Sequence, residues 1–458
     1  MRRNLISFIV LALAAFPAAA RTQQETVRNF DRTVPLGAGQ RLQIESKFGE
    51  VKVHGAAQKD VVIHATIRAA SGNQSETQAL LDQIKIDVSQ NSAGVSVRTI
   101  YPDREERGFH LHNVSYSVNY DITMPESAPL ELRNEFGQVV LSGCKGGSRV
   151  VNGHGALHLR DGAGTHNLQN TFGAVEVSGN NGDLTVNNGN GEVTVTDVTG
   201  SVDAKNRFGK VTVRNTGRGV TIVSNNGGVT VDTVGSANVT SSFGEVSAHA
   251  VHGDLTVQNA NGGINATQTG GAASLKTSFG GITATDVGKT LTAADTNGAI
   301  RAVKVGGQVT VKTAFGAVDV SQVEGGIDLT SQNGAVKAVD VKGAARAVTS
   351  FGGITIENVA GAVEATNANG SITVNSTAGG GCQPIVLKST FGPIKLTLPE
   401  NVNYDVTAST TFGGINVDFP VTTSGTISKD SIHGRIGNGG CELRITDSNG
   451  RIDILKRH

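Results

Sequence analysis

Apolar and polar residues alternate with a period of two along most of this chain, in short bursts punctuated by glycine. Val175 and Val177, Val193 and Val195, and Val211 and Val213 each enclose a polar residue. That is the pattern of a strand with one buried face. The bursts recur every nine residues as x-Gly-x-Φ-x-Φ-x-x-x, with Φ apolar. Gly supplies a bend with φ > 0, and a flanking Asn tolerates the same region. Each nonapeptide therefore reads as one strand and one corner. Val also fills the ninth slot at Val198, Val251, Val287, Val305, Val323 and Val341, which predicts a third inward side chain beside the corner.

The residue before the Gly carries a second, longer rhythm. It is Phe at Phe136, Phe172, Phe208, Phe243, Phe279, Phe315, Phe351 and Phe391, at spacings of 36, 36, 35, 36, 36, 36 and 40. Eighteen residues after the first seven of these stand His154, Asn190, Asn226, Asn261, Asn297, Asn333 and Asn369, each followed by Gly. A β-propeller would make 36 residues one blade, but blades run to ~40–50 residues and place their strands in unlike surroundings. Here every strand opens with the same polarity, which a parallel β-solenoid of equivalent strands supplies. The fold expected is all-β: a parallel β-solenoid (β-helix or β-roll) of nonapeptide strand-turn units. A coil of 18 or of 36 residues keeps like residues in register; 18 is favoured, because Gly and Val hold the same register in every nonapeptide. Residues 136–378 would then make a rod about 65 Å long at ~4.8 Å per strand.

The flanks depart from the strict repeat. Residues 1–20 read as a secretory signal, with Arg2 and Arg3, an apolar run from Leu5 to Phe16 too short to span a bilayer, and Ala18-Ala19-Ala20 before a mature start near Arg21. No later segment reads as a membrane-spanning helix. Residues 21–130 read as a β-rich N-terminal cap, although Phe48-Gly49-Glu50-Val51 already resembles a repeat unit. Within it, Ser75-Glu76-Thr77-Gln78 has the capping-box pattern and Ala79, Leu80, Leu81 and Ile84 follow at helical spacing, predicting one short helix. Tyr116, Val118, Tyr120 and Ile122 alternate through a long strand ending near Pro125. Residues 131–379 are the regular repeats. Residues 380–458 read as an irregular closing end, in which Val402-Asn403-Tyr404-Asp405-Val406-Thr407 echoes Val118-Asn119-Tyr120-Asp121-Ile122-Thr123.

The exported N-terminus, the run Val118-Asn119-Tyr120-Asp121-Ile122-Thr123-Met124-Pro125, the recurring Phe-Gly and Asn-Gly units and the closing Asn449-Gly450-Arg451-Ile452-Asp453-Ile454 carry a family likeness. On them the chain resembles a bacterial family of proposed adhesins of unknown function with exported β-solenoid domains. The resemblance covers most of the mature chain. It implies a cell-envelope or secreted protein, in the periplasm, on the surface or outside the cell. The motifs are structural, so no catalytic residue is implied by them.

Composition narrows the chemistry. Gly makes up 60 of 458 residues, aromatics are 4 % and Trp is absent, so any core is built from small and β-branched side chains. Lys plus Arg and Asp plus Glu are balanced at 39 each, which argues against a nucleic-acid partner. Three Cys remain, Cys144, Cys382 and Cys441. Export permits disulfides, and the like contexts of Cys382 and Cys441 make them the candidate bridge, with three buried thiols as the plainer alternative.

Four chemistries come into question. Asn188-Gly189-Asn190-Gly191-Glu192 approaches a calcium-binding roll, but the required Asp does not recur on schedule. His154, His158 and His166, with His110 and His112 nearby, could ligate a metal, yet His154 simply takes the slot that holds Asn elsewhere. Glycosidic hydrolysis needs two facing carboxylates, whereas Glu176, Asp203, Glu245 and Asp319 are scattered on outward positions. Thr194, Thr196, Thr283 and Thr285 suggest flat ice-binding ladders, but charged residues interrupt them. No catalytic set, cofactor motif or metal site emerges. The expected function is an exported, non-enzymatic, adhesin-like scaffold that binds a surface glycan, matrix or protein through the outer faces of its solenoid. The alternatives are a β-helix carbohydrate-active enzyme, either lyase or hydrolase, and a purely structural envelope component.

Overall fold

The computed structural model describes residues 24–102, 114–376, 382–423 and 428–457. The signal-like segment, His110 and His112 lie outside them. Through the repeats each strand segment pairs in parallel with the segment one turn further on: Val175 opposes Val193, which opposes Val211, and Leu184 opposes Val202. Consecutive strands belong to opposite sheets. Each 18-residue turn thus holds two strands and two corners, and the two parallel ladders enclose one continuous core. Among the described residues the chain is a β-solenoid of about 15 turns with one short helix near its N-terminal end.

The alternating pattern explains the core. Val193, Val195, Val211 and Val213 are fully buried, as are Ala284, Ala302, Ala338 and Ala365. Burying one such Val contributes about 1.5 kcal/mol, and stacking puts it directly over its counterpart in the next turn. The ninth-slot residues Val198, Val251, Val287, Val305, Val323 and Val341 are each 1 % exposed. The core is thin because its side chains are small. Among the described residues, the buried aromatics are Tyr120, Tyr404 and Phe419, all near the two ends.

The two corners differ, which the nine-residue repeat does not reveal. At one corner the Gly after each Phe or Asn makes the bend, for example Gly173 at φ 125°. A Cβ on Gly173 or Gly334 would collide with the carbonyl of Gly155 or Gly316 one turn below, so a hydrogen is required there even when φ is not positive. At the opposite corner the left-handed residue usually has a side chain. Asp197, Asn215, Thr233, Ala250, Gln268, Asp286, Lys304, Gln322, Asp340 and Asn358 all have φ between 50° and 60°. The 35-residue interval is absorbed here, where the register between strands Val211–Asn226 and Val229–Phe243 shifts between Thr216 and Gly219.

Both ends stop the parallel ladder with antiparallel strands, which prevents edge-to-edge pairing. The first turn is formed by Arg41–Phe48 and Val51–Ala56, which stack on Leu130–Phe136 and Val139–Ser142. An excursion between them adds Ser115–Pro125 in parallel on Val51–Ala56, then Asp60–Ser71 antiparallel on that. At the far end Glu442–Asp447 stacks on Ile385–Ser389, Tyr404–Thr410 stacks on Glu442–Asp447, and Ser431–Ile436 closes antiparallel. The echoed segments therefore hold equivalent places, one at each end. Tyr120 and Tyr404 are both buried, and Asn119 and Asn403 each accept a backbone N–H, from Glu50 at 2.9 Å and Asn438 at 2.8 Å.

The helix spans Gln74–Gln83. Its cap is Asn73, whose side chain accepts from Glu76 N, and not Ser75 as the capping box suggests; Ser75 Oγ instead donates to Asn73 Oδ1 at 2.9 Å. The helix starts earlier because Asn is among the best caps and already stands outside the first turn. Leu80, Leu81 and Ile84 are buried but Ala79 faces solvent.

A β-branched side chain is strained in the left-handed region. Thr233, at φ 55°, occupies a slot that Asn215 and Asn358 fill elsewhere. Replacing Thr233 with Asn should therefore raise unfolding free energy by about 0.5–1 kcal/mol in denaturant titration. The same exchange at Thr230, on a strand, should not.

Candidate functional site: an exposed phenylalanine and asparagine edge

The 18-residue turn brings the two marker series into one column. Phe48 opposes Phe136, which opposes His154, then Phe172, Asn190, Phe208, Asn226, Phe243, Asn261 and Phe279. The same register carries it through Asn297, Phe315, Asn333, Phe351 and Asn369 to Phe391, Asn449 and Phe412. Phenylalanine and asparagine alternate along one corner for almost the whole length of the rod.

A buried polar ladder supports this edge from inside. Two residues before each marker stands an inward polar side chain. Asn152 Nδ2 donates to Gly155 O at 3.1 Å, Asn170 to Gly173 O at 2.9 Å and Asn206 to Gly209 O at 2.9 Å. Further along, Thr277 Oγ1 donates to Gly262 O at 2.9 Å and Thr349 Oγ1 to Gly334 O at 3.1 Å. The corner carbonyls point inward, where an unpaired acceptor would cost about 1–3 kcal/mol, and these Asn and Thr donors satisfy the ones they reach.

Outside, the rings remain in solvent. Phe136, Phe172 and Phe208 are 41–46 % exposed, while Phe279, Phe315, Phe351 and Phe391 are 54–58 % exposed. The outer asparagines lie along the rod: Asn297 Nδ2 donates to Ser278 O at 3.1 Å, Asn333 to Ala314 O at 3.2 Å and Asn369 to Ser350 O at 3.3 Å. Each amide floors a slot between two rings. Where the slot residue is itself aromatic, the rings stack: His154 lies 4.6 Å from Phe136 and 4.8 Å from Phe172, with planes within 2°. A linear row of exposed rings is the kind of apolar patch from which interaction surfaces are built.

The residues singled out in the sequence do not gather elsewhere. His158 pairs with Glu176 at 2.9 Å, and His166 is buried with Nδ1 on Ser148 Oγ at 2.7 Å. Burial lowers the His166 pKa. The three histidines therefore have separate partners, and no cluster able to hold a metal occurs among the described residues. Asn188, in the calcium-like run, donates inward to Gly191 O at 3.1 Å. Asp319 lies 3.7 Å from Arg301, one turn away. A shallow groove of about 580 Å³ contains Asp183, Asp203 and Asp254, but Asp183 accepts from Ser201 N and Asp254 from Ala272 N, both at 2.8 Å. Thr194 stacks on Thr212 and then Thr230, whereas Thr283 meets Arg301. Cys382 and Cys441 are placed as a bonded pair with Cα atoms 5.2 Å apart, and Cys144 is buried, its thiol pushed up to about 11 by desolvation.

In the sequence, Phe and Asn stand out only as markers of the repeat. The signal of an edge is nonetheless present there, in a Phe period twice the interval to the intervening Asn. From Asn261 to Phe391 this edge is flanked by uncharged residues, while the other corner carries ion pairs, where Lys304 meets Asp286 at 3.0 Å and Lys342 meets Glu324 at 2.5 Å. Such exposed pairs add ~1 kcal/mol or less each.

Residues 252–455 match the family model described as Toastrack DUF4097. Among solved structures, a proposed cell adhesion protein from Clostridium sporogenes aligns at 8 % identity over 94 % of this chain and 100 % of its own, with a TM-score of 0.16. Proposed adhesins from Bacteroides fragilis and Parabacteroides distasonis each align at 12 % identity, over 66 % and 65 % of this chain and 96 % of their own, with TM-scores of 0.17 and 0.21. Likenesses at this level carry no argument. A search of curated proteins found no match.

The buried ladder yields a pH test. Asp295 and Asp447 hold ladder positions, and burial raises both carboxyls above the ordinary value. Oδ2 of each is buried without a partner. A carboxyl held above its unfolded pKa favours the fold while protonated, and that contribution is lost as pH rises through the folded value. Stability should thus fall between the unfolded carboxylate pKa and the raised one. Asp295→Asn with Asp447→Asn, which restores the amide found at Asn259, should flatten that slope and add about 1–2 kcal/mol at neutral pH in urea titrations. An unchanged pH profile would contradict the assignment.

Proposed function

We propose, for a chain whose residues 252–455 match the toastrack family model, the role of an exported, adhesin-like surface scaffold that holds its partner along the phenylalanine edge. The observation that carries this reading is the alternation of exposed Phe with Asn from Phe172 to Phe412, turn upon turn of one solenoid. A side chain on a solenoid is fixed in register by the turns above and below it, so an extended partner meets a preformed row and little ordering is required on binding.

Export rests on the signal-like first twenty residues. No helix of the described residues is long and apolar enough to cross a membrane. The Cys382–Cys441 bridge belongs to the same reading, since an oxidising compartment would let it close the loose C-terminal end onto the last regular turns. The protein is read as a binding scaffold and not an enzyme because the groove carboxylates Asp183 and Asp254 are already engaged by backbone N–H groups. Glycan, matrix and protein partners remain within this reading.

In the secreted protein, denaturing alkylation without reductant should label one thiol, Cys144, and three after reduction; three labels before reduction would remove the bridge. For binding, the mature chain should be screened against glycan arrays, matrix preparations and envelope proteins. Phe279→Asn, Phe315→Asn and Phe351→Asn together should weaken capture about tenfold or more, and Lys304→Ala with Lys342→Ala about twofold or less. Capture indifferent to the Phe exchanges would overturn the edge as the binding surface.

A further inference from the structure

We infer that the occupant of the phenylalanine edge is a second copy of this chain, the two rods lying side by side with their rings interleaved. This rests on the edge being the binding surface and adds what covers it.

The first argument is spacing. Rings on alternate rungs are about 9.6 Å apart, twice the strand separation. A ring inserted midway would lie about 4.8 Å from each neighbour, inside the ~4.5–7 Å range of favourable aromatic pairs. The molecule already builds this arrangement once, where His154 fills the slot between Phe136 and Phe172 at 4.6 and 4.8 Å. The other slots have Asn as a floor, with its amide turned along the rod to a backbone carbonyl, as at Asn297, Asn333 and Asn369. A foreign ligand would have to match that period by coincidence. A second copy matches it by identity, and an evenly alternating row reads the same in both directions. A two-fold antiparallel pair therefore keeps every ring opposite a slot.

The second argument is charge and area. From Asn261 to Phe391, the residue before each marker is Ala, Ser, Thr or Gln, and the second residue after it is Gly, Ala, Ser or Pro. Two such edges meet without like-charge repulsion. Nearer the N-terminus the edge is flanked by Glu135, Glu192, Arg207, Lys210 and Glu245. The rings are also more exposed in the neutral stretch, 54–58 % against 41–46 % for Phe136, Phe172 and Phe208. With ~200 Å² per phenylalanine, Phe279, Phe315, Phe351 and Phe391 together offer roughly 450 Å² per rod. The small flanking residues carry the pair past the ~1,000 Å² total of a specific interface.

The third argument is ring direction. Phe136 and Phe172 stack face to face along the rod through His154, so their edges point outward. A pyranose needs an open ring face, whereas a ring inserted between two others uses faces turned toward the slot, as those of Phe136 and Phe172 are.

The test uses the mature oxidised chain, residues 21–458, in sedimentation velocity from ~1 to ~100 μM, the range in which an interface of this size is expected to titrate. The wild type should pass reversibly from the mass of one rod to that of two. Phe279→Asn, Phe315→Asn and Phe351→Asn together should raise the dimer dissociation constant about tenfold or more. Asn is native to this slot in alternate turns, so the thermal melt of the variant should be unchanged, which separates lost pairing from lost fold. Lys304→Ala with Lys342→Ala, on the opposite corner, should leave pairing intact. A wild type that keeps the mass of one rod throughout, or a Phe variant that pairs as tightly as wild type, would overturn the inference. If the wild type stays single while capture of a glycan or matrix still depends on the three Phe, self-pairing falls and the edge remains the binding surface. If neither depends on them, both fall.

Discussion

Everything in this rod depends on parallel strands stacking in strict register, turn over turn. A parallel ladder offers each backbone group a partner one turn above and one below, and it sets adjacent turns about 4.8 Å apart. At that spacing any residue type placed in a slot meets the same slot of its neighbours. A slot tolerates only what fits over the turn below: valine on valine or alanine inside, amide or hydroxyl over glycine carbonyl at the inner corner, glycine on glycine where a Cβ would strike the turn below, and phenylalanine on asparagine along the outer edge. The repeat in the sequence is the imprint of this self-compatibility.

The same constraint turns a local choice into a long-range feature. One exposed Phe on a loop would be unremarkable. Repeated in register, it becomes a straight row of rings held by its support and not by its own packing. The inner polar ladder helps hold the row straight, because donors such as Asn170, Asn206, Thr277 and Thr349 fix the orientation of a corner peptide. The two acids in that ladder, Asp295 and Asp447, are departures from it whose burial raises their pKa. The opposite corner bears charges paired from turn to turn, leaving the phenylalanine edge the smoother and more neutral of the two.

Much of this is legible in the sequence. The Val alternation marks the strands, the common polarity marks a parallel ladder, and the ninth-slot valines point to an inward position, where Val198 and Val305 lie. Other features are hidden for physical reasons. Left-handed residues at the second corner are Asp, Asn, Gln, Lys, Thr or Ala, so no single residue type announces them. The helix start at Asn73 is obscured by Ser75, which satisfies the same local pattern two residues later. The echo of residues 118–123 at 402–407 is visible, but its meaning, one such strand beside each antiparallel closure, depends on strand order and not on spacing. The 18-residue turn that the Gly and Val register favours already sets Phe over Asn in one column; what stays hidden is the buried polar ladder beneath it, whose Asn, Ser, Thr and Asp members share no single residue type.

The most direct test of this account is a distance between spin labels at Asn261→Cys and Asn369→Cys, positions six turns apart on the edge. The described register predicts about 29 Å along the rod at ~4.8 Å per turn, broadened by the label linkers. A distance of about 14 Å, from half as many turns at ~4.8 Å each, would mean a turn twice as long with Phe stacked on Phe. A broad distribution would mean that no continuous edge exists.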